Sequence, residues 1–166
     1  MRVVAIQFKG YRQDFEASQN HLYDLIELAL NNNADLVVTP EMACSQYLFD
    51  CSAHVKPFAV CQDSTWICRL KHLSQLYRST LVIGVIEIDH IEQLLYNSAA
   101  IIDIEGQCNF YRKRLLFDAD QTWAQKGQLS YPIPECYRAQ LIQTQMTKNN
   151  IKSATSSIGV PIQPND

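Results

Sequence analysis

Ala34-Asp35-Leu36-Val37-Val38-Thr39-Pro40-Glu41-Met42 is the stretch on which the reading turns. Leu36-Val37-Val38 is a short apolar, β-branched run, the pattern of a buried strand. Pro40 closes it, because its fixed φ and missing N–H end regular pairing. Glu41 therefore stands just past the end of a strand that should lie in the core. Upstream, Phe15, Leu22, Leu25, Ile26, Ala29 and Leu30 recur at helical spacing, with Asp14 as N-cap and Asn31-Asn32-Asn33 as the stop. Before that helix, Val3–Phe8 reads as another buried strand.

Downstream the alternation continues. Asp63-Ser64-Thr65 opens a second helix, with Trp66, Leu70, Leu73, Leu76 and Tyr77 on its inner face. Leu81–Ile88 is a third strand and Ala99–Ile104 a fourth, which Glu105-Gly106 turns into Cys108–Arg112. Strand, helix, strand, helix, strand predicts a crossover-connected sheet with helices packed on it, and the final hairpin makes that sheet mixed. The fold class expected is α/β.

The chain has 166 residues, against roughly 150 per domain, so one domain is expected. Apolar residues make up 47% and charged residues 19%, a globular balance. A net charge of −3 gives no electrostatic ground for nucleic acid or an anionic membrane as partner. No apolar run approaches the ~20 residues of a membrane span, and Met1-Arg2 leads directly into a strand with no signal-peptide pattern, so a cytoplasmic protein is expected. Every Phe, Tyr and Trp lies at or before Tyr137, and residues 138–166 are dominated by Gln, Asn, Thr and Ser. The expected division is a structured 1–137 and a polar, weakly structured 138–166.

The cysteines at positions 44, 51, 61, 68, 108 and 136 form no C-x-x-C pair and have no histidine at ligand spacing. Without a secretory signal they are expected to be reduced, small buried hydrophobes. Chemistry in such sheets gathers at the carboxyl ends of strands. Glu41 stands at one such end, and Lys113, after Asn109-Phe110-Tyr111-Arg112, at another. A glutamate among core strands is desolvated, which raises its pKa toward that of a general base, and a lysine in the same pocket offers a fixed cation to an oxyanion. From spacing alone, a glutamate in this place is more often a solvated loop residue or a helix cap than a functional group.

The wording of three segments adds to this. Ala34 to Met42 with Tyr47 resembles the first catalytic segment of the nitrilase, or carbon–nitrogen hydrolase, superfamily. Asn97-Ser98-Ala99-Ala100-Ile101-Ile102-Asp103 with Gly106 resembles its "N-S-A, apolar strand, G" stretch, and Tyr111-Arg112-Lys113-Arg114-Leu115-Leu116-Phe117 its second catalytic segment. The strand entering at Gly84 fits the same order, and the resemblance runs from residue 1 to about 130. It implies an α-β-β-α sandwich, of which this sequence reads as a truncated mixed-sheet part. It also implies hydrolysis of a small-molecule amide or nitrile through a Glu-Lys-Cys mechanism, without metal or organic cofactor. Glu41 is similar to the general base and Lys113 to the oxyanion-stabilising cation. Asp118 or Asp120 stands nearest to a further carboxylate of the family, which is usually a glutamate.

The resemblance lacks its third segment, a β-branched strand ending in the nucleophilic cysteine. Cys136-Tyr137 follows Pro132 and Pro134, which forbid a central strand there. The other five cysteines match no family position. Gln46 also departs from the pattern, standing where the family usually has glycine. The expectation is therefore a carbon–nitrogen hydrolase inactive on its own. The alternative is a non-catalytic remnant or interaction module that binds a homologous partner. One layer of helices would leave a sheet face uncovered, and both that face and the resemblance imply a homo-oligomer.

Overall fold

A computed structural model describes residues 1–11, 14–45, 49 and 51–128. Gln46, Tyr47, Cys136 and the expected division after residue 137 lie outside these. Five strands form one sheet in the order β1-β2-β3-β4-β5: Val3–Ala5, Leu36–Val38, Thr80–Ile88, Leu95–Ile102 and Cys108–Arg112. The first three are parallel, β4 runs back against β3, and β5 runs back against β4. The sheet is mixed, as expected. The carboxyl ends of β2, β3 and β5 and the start of β4 consequently share one edge.

Helix α1 (Phe15–Asn31) starts where its cap dictates, with the Asp14 carboxylate accepting the Ala17 N–H at 2.8 Å. Helix α2 (Ser52–Val55) is a single turn, and α3 (Thr65–Tyr77) the second long helix. Leu22, Ile26 and Leu30 of α1 and Trp66, Ile67, Leu70 and Leu73 of α3 pack in one core with Val37, Leu81, Ile83, Ala100 and Ile102 of the sheet. The Trp66 indole N–H also donates to the Gln19 carbonyl, tying α3 to α1. Both long helices thus cover the same face. By strand alternation Leu36, Val38, Val82, Ala99 and Ile101 point to the other face, where they are half-buried, and Tyr111 beside them is exposed.

Two expectations about burial are corrected. The first strand is shorter than Val3–Phe8 and is not buried, because it is the outermost strand and has a neighbour on one side only. Leu76 is 62% exposed. It lies roughly 120° around α3 from the centre of the buried stripe at 3.6 residues per turn, and Ser74 takes the inward place instead. Ser74 is tolerated there because its hydroxyl donates to the carbonyls of Ser79 and Asp103. No described helix is long and apolar enough to cross a membrane.

Candidate active site

The turn after β2 lies directly on β3. A Cβ on Gly84 would sit 2.1 Å from the Pro40 carbonyl oxygen and 2.7 Å from the Glu41 Cα, so only glycine lets the two backbones approach this closely. The turn is fastened there by Gly84 N–H donating to Thr39 Oγ1 and by Ala43 N–H donating to the Gly84 carbonyl. Met42 adopts a left-handed φ of 48°, uncommon outside glycine, and its side chain is fully buried among Val55, Ile86, Leu95 and Trp123. Glu41 is therefore presented by a turn anchored on both sides.

Lys113 follows the last residue of β5, and its N–H donates to the Asn97 carbonyl on β4. Its ammonium donates to Glu41 Oε1 at 2.6 Å and to Asp120 Oδ2 at 2.7 Å. The Asn97 amide reaches the same two oxygens, at 2.6 and 3.2 Å. One cation and one amide thus bridge two carboxylates. Asp120 opens a one-turn 3₁₀ helix, Asp120–Thr122, and also accepts the Phe117 N–H. Burial on its own would lower the Lys113 pKa. The hydrogen bonds to Asp120 and Glu41 outweigh it and hold the amine above the ordinary lysine range, so it stays cationic. Beside Lys113, Tyr111, Arg114 and Leu115 border an open depression of about 350 Å³.

Glu41 and Lys113, expected at two strand ends, are thus brought together. Of the two aspartates, Asp120 joins them, and Asp118 pairs instead with Gln121. The full burial expected for Glu41 is not found: its side chain is 42% exposed. Asn97 was legible only as part of a motif, and its bonds depend on the β3–β4 register.

Each described cysteine has another place. Cys44 and Cys108 are core residues whose thiols burial pushes up to about 12. Cys61 shares a hydrogen bond with Ser64 before α3, Cys51 precedes α2, and Cys68 is exposed on α3. With iodoacetamide at pH 8, Cys68 should label first among these five, while Cys44 and Cys108 stay unmodified until the protein unfolds or the pH nears 12. Peptide mass spectrometry reads the order. A cysteine modified fastest and well below pH 8 would instead be an activated nucleophile.

Fold and site together define an α/β protein with an ion-paired carboxylate–lysine cluster at the carboxyl edge of its sheet. Residues 2–160 match the model of the carbon-nitrogen hydrolase family, and the chain belongs to that family. It is similar to the protein N-terminal amidase of Saccharomyces cerevisiae (strain ATCC 204508 / S288c), with 33% identity over 91 residues, covering 54% of this chain and 20% of the amidase. The protein N-terminal amidase of Schizosaccharomyces pombe (strain 972 / ATCC 24843) is 33% identical over 98 residues, 55% of this chain and 34% of its own length. The chain thus spans between a fifth and about a third of these relatives. Among solved structures, an N-terminal amidase bound to an Asn-Glu-Ala peptide shares the fold at a TM-score of 0.67 and 23% identity, over 75% of this chain and 31% of the other. A carbon-nitrogen hydrolase from Helicobacter pylori G27 does so at 0.65 and 20%, over 78% and 46%.

Proposed function

We propose that this chain carries the base-and-cation half of an amidase site. The observation that carries the reading is the 2.6 Å contact between Lys113 Nζ and Glu41 Oε1 at the sheet edge, in a member of the carbon-nitrogen hydrolase family. Glu41 takes the proton of an attacking thiol, passes it to the departing ammonia, and is then free to take one from the hydrolytic water. Lys113 meets the oxygen of the tetrahedral intermediate, and Asp120 holds Lys113 in place. The net reaction is carboxamide plus water to carboxylic acid plus ammonia, through an acyl-thiol intermediate. The relatives' names widen the substrate class from a free small amide or nitrile to a carboxamide at a peptide N-terminus. Self-association through the half-buried sheet face belongs to the same proposal, and a sedimentation mass of one chain would remove it.

The test is ammonia release from Gln-Gly, Asn-Glu-Ala, butyramide and propionitrile. Turnover that falls with Glu41→Gln supports the reading, and turnover indifferent to that change overturns it. The second reading, a non-catalytic module that binds a homologous partner, is favoured by the burial of Cys44 and Cys108, which keeps both thiols protonated. A stable complex with a homologous partner that still releases no ammonia from any of these substrates selects it.

A further inference from the structure

Behind the site, on the helix-covered face, lies an ionic cluster that the proposed chemistry does not use. Arg112 and Lys113 are successive, so they leave β5 on opposite faces. Arg112 donates from Nε to both Glu87 oxygens at 2.9 and 3.1 Å, and from Nη2 to Glu87 Oε1 at 2.5 Å and Asp89 Oδ2 at 2.7 Å. Its guanidinium carbon lies 3.8 Å from the centre of the Tyr96 ring, and the Ser98 hydroxyl donates to Glu87 Oε2 at 2.6 Å. Glu87 pairs with Tyr96, and Ser98 with Arg112, so Arg112 reaches across β4 to grip β3. The Glu87 and Arg112 side chains are only 4% and 12% exposed. The Glu92 N–H first, and Arg112 next, hold the Asp89 carboxyl down at about 2, so it is anionic throughout the working range.

A buried pair of this kind adds little net stability over apolar residues of the same size, so stability does not account for it. Register does. Arg112-Lys113-Arg114 presents three cations in a row at the end of an outermost strand, and a slip of one residue would exchange the two faces. Charge cannot distinguish the three. Shape separates Lys113 from its neighbours, because only a planar guanidinium makes the bidentate grip on Glu87, the second bond to Asp89 and the stack on Tyr96 together, so a one-residue slip that puts Lys113 in the place of Arg112 loses the tie.

We propose that the Arg112–Glu87–Asp89 tie is the positioning device for Lys113: it fixes the register of β5 so that this cation, and neither neighbouring arginine, meets Glu41 and Asp120. The proposal rests on the reading of Glu41 and Lys113 as a working pair, and its test separates the two. In the full chain, acetylation of individual lysines at pH 8 is followed by peptide mass spectrometry, with Lys56 and Lys71 as internal references. Because Arg112→Met alone strands Glu87 in the core, the deciding variant is Glu87→Gln with Arg112→Met, which removes both charges. Lys113 should then acetylate about tenfold faster, equivalent to a fall of one unit in its pKa, with Lys56 and Lys71 unchanged. Glu87→Asp, which keeps both charges and shortens the tie by one methylene, should give a smaller rise, and Arg112→Lys should not restore the parent rate. An unchanged Lys113 rate in the double variant overturns the proposal, and so does an equal rise at all three lysines, which marks a merely structural role. Glu41→Gln serves as the control. If it leaves Lys113 acetylation unaltered, the Glu41–Lys113 reading fails whatever the tie does.

Discussion

Gly84→Ala should cost about 3 kcal/mol or more in urea unfolding and detach Glu41 from Lys113 in the molecules that still fold. The added methyl carbon would stand 2.1 Å from the Pro40 oxygen, 2.7 Å from the Glu41 Cα and 2.8 Å from the Met42 nitrogen. All three are backbone atoms, so no side chain can turn aside to relieve the clash. Overpacking usually costs about 1–3 kcal/mol, and a collision confined to backbone belongs at the upper end or beyond. Strand β3 lies between β2 and β4 and cannot retreat, so the turn must lift. Lifting breaks the bonds from Gly84 N–H to Thr39 and from Ala43 N–H to Gly84. An ångström of movement at Glu41 then takes the 2.6 Å contact out of hydrogen-bond range. Urea midpoints and Lys113 acetylation check the two effects separately. A variant with the parent's midpoint would mean that the turn does not rest on Gly84.

The same geometry explains what the sequence could tell. Local rules placed α1 by Asp14 and ended β2 by Pro40, because a cap and a missing N–H act within a few residues. Glu41, three residues past β2, and Lys113, directly after β5, stood at strand ends, but spacing alone was weak and it was the family resemblance of their segments that singled them out. What depended on pairing was not legible. Asn97 meets Glu41 only because Asn97 pairs with Ile86 and Ser98 with Arg112, and no local pattern fixes that register. The choice between Asp118 and Asp120 turned on a single 3₁₀ turn. β4 begins at Leu95 rather than Ala99, since Tyr96, Asn97 and Ser98 interrupt the apolar run from which the strand was read. Glu87 did leave a signal. A charge inside the otherwise apolar Thr80–Ile88 requires a buried partner, and the basic run at the end of β5 was the place to seek it.

Lys113→Met should remove up to about 3 kcal/mol of stability at neutral pH and lower any hydrolysis by roughly 10²- to 10³-fold. The cation now joins Glu41 to Asp120, whose side chain is only 5% exposed, and without it that charge keeps just the Asn97 amide and the Phe117 N–H. The cost lies at the low end for a broken buried pair, because Glu41, 42% exposed, can turn to water. The pH dependence identifies the source. The folded pKa of Lys113 lies above its ordinary value of 10.5, so its stabilisation is complete below 10.5 and is lost as the pH rises through the folded value. Parent and variant urea midpoints should therefore differ by the same amount at pH 7 and pH 9, and converge above 10.5. Lys113→Arg should recover part of the stability and little of the activity, since a planar fork cannot take the place of a point charge between these two oxygens. A parent–variant gap that stays constant to pH 12 would assign the loss to the packing of the lysine stem, and the ion pair would then contribute nothing to the fold.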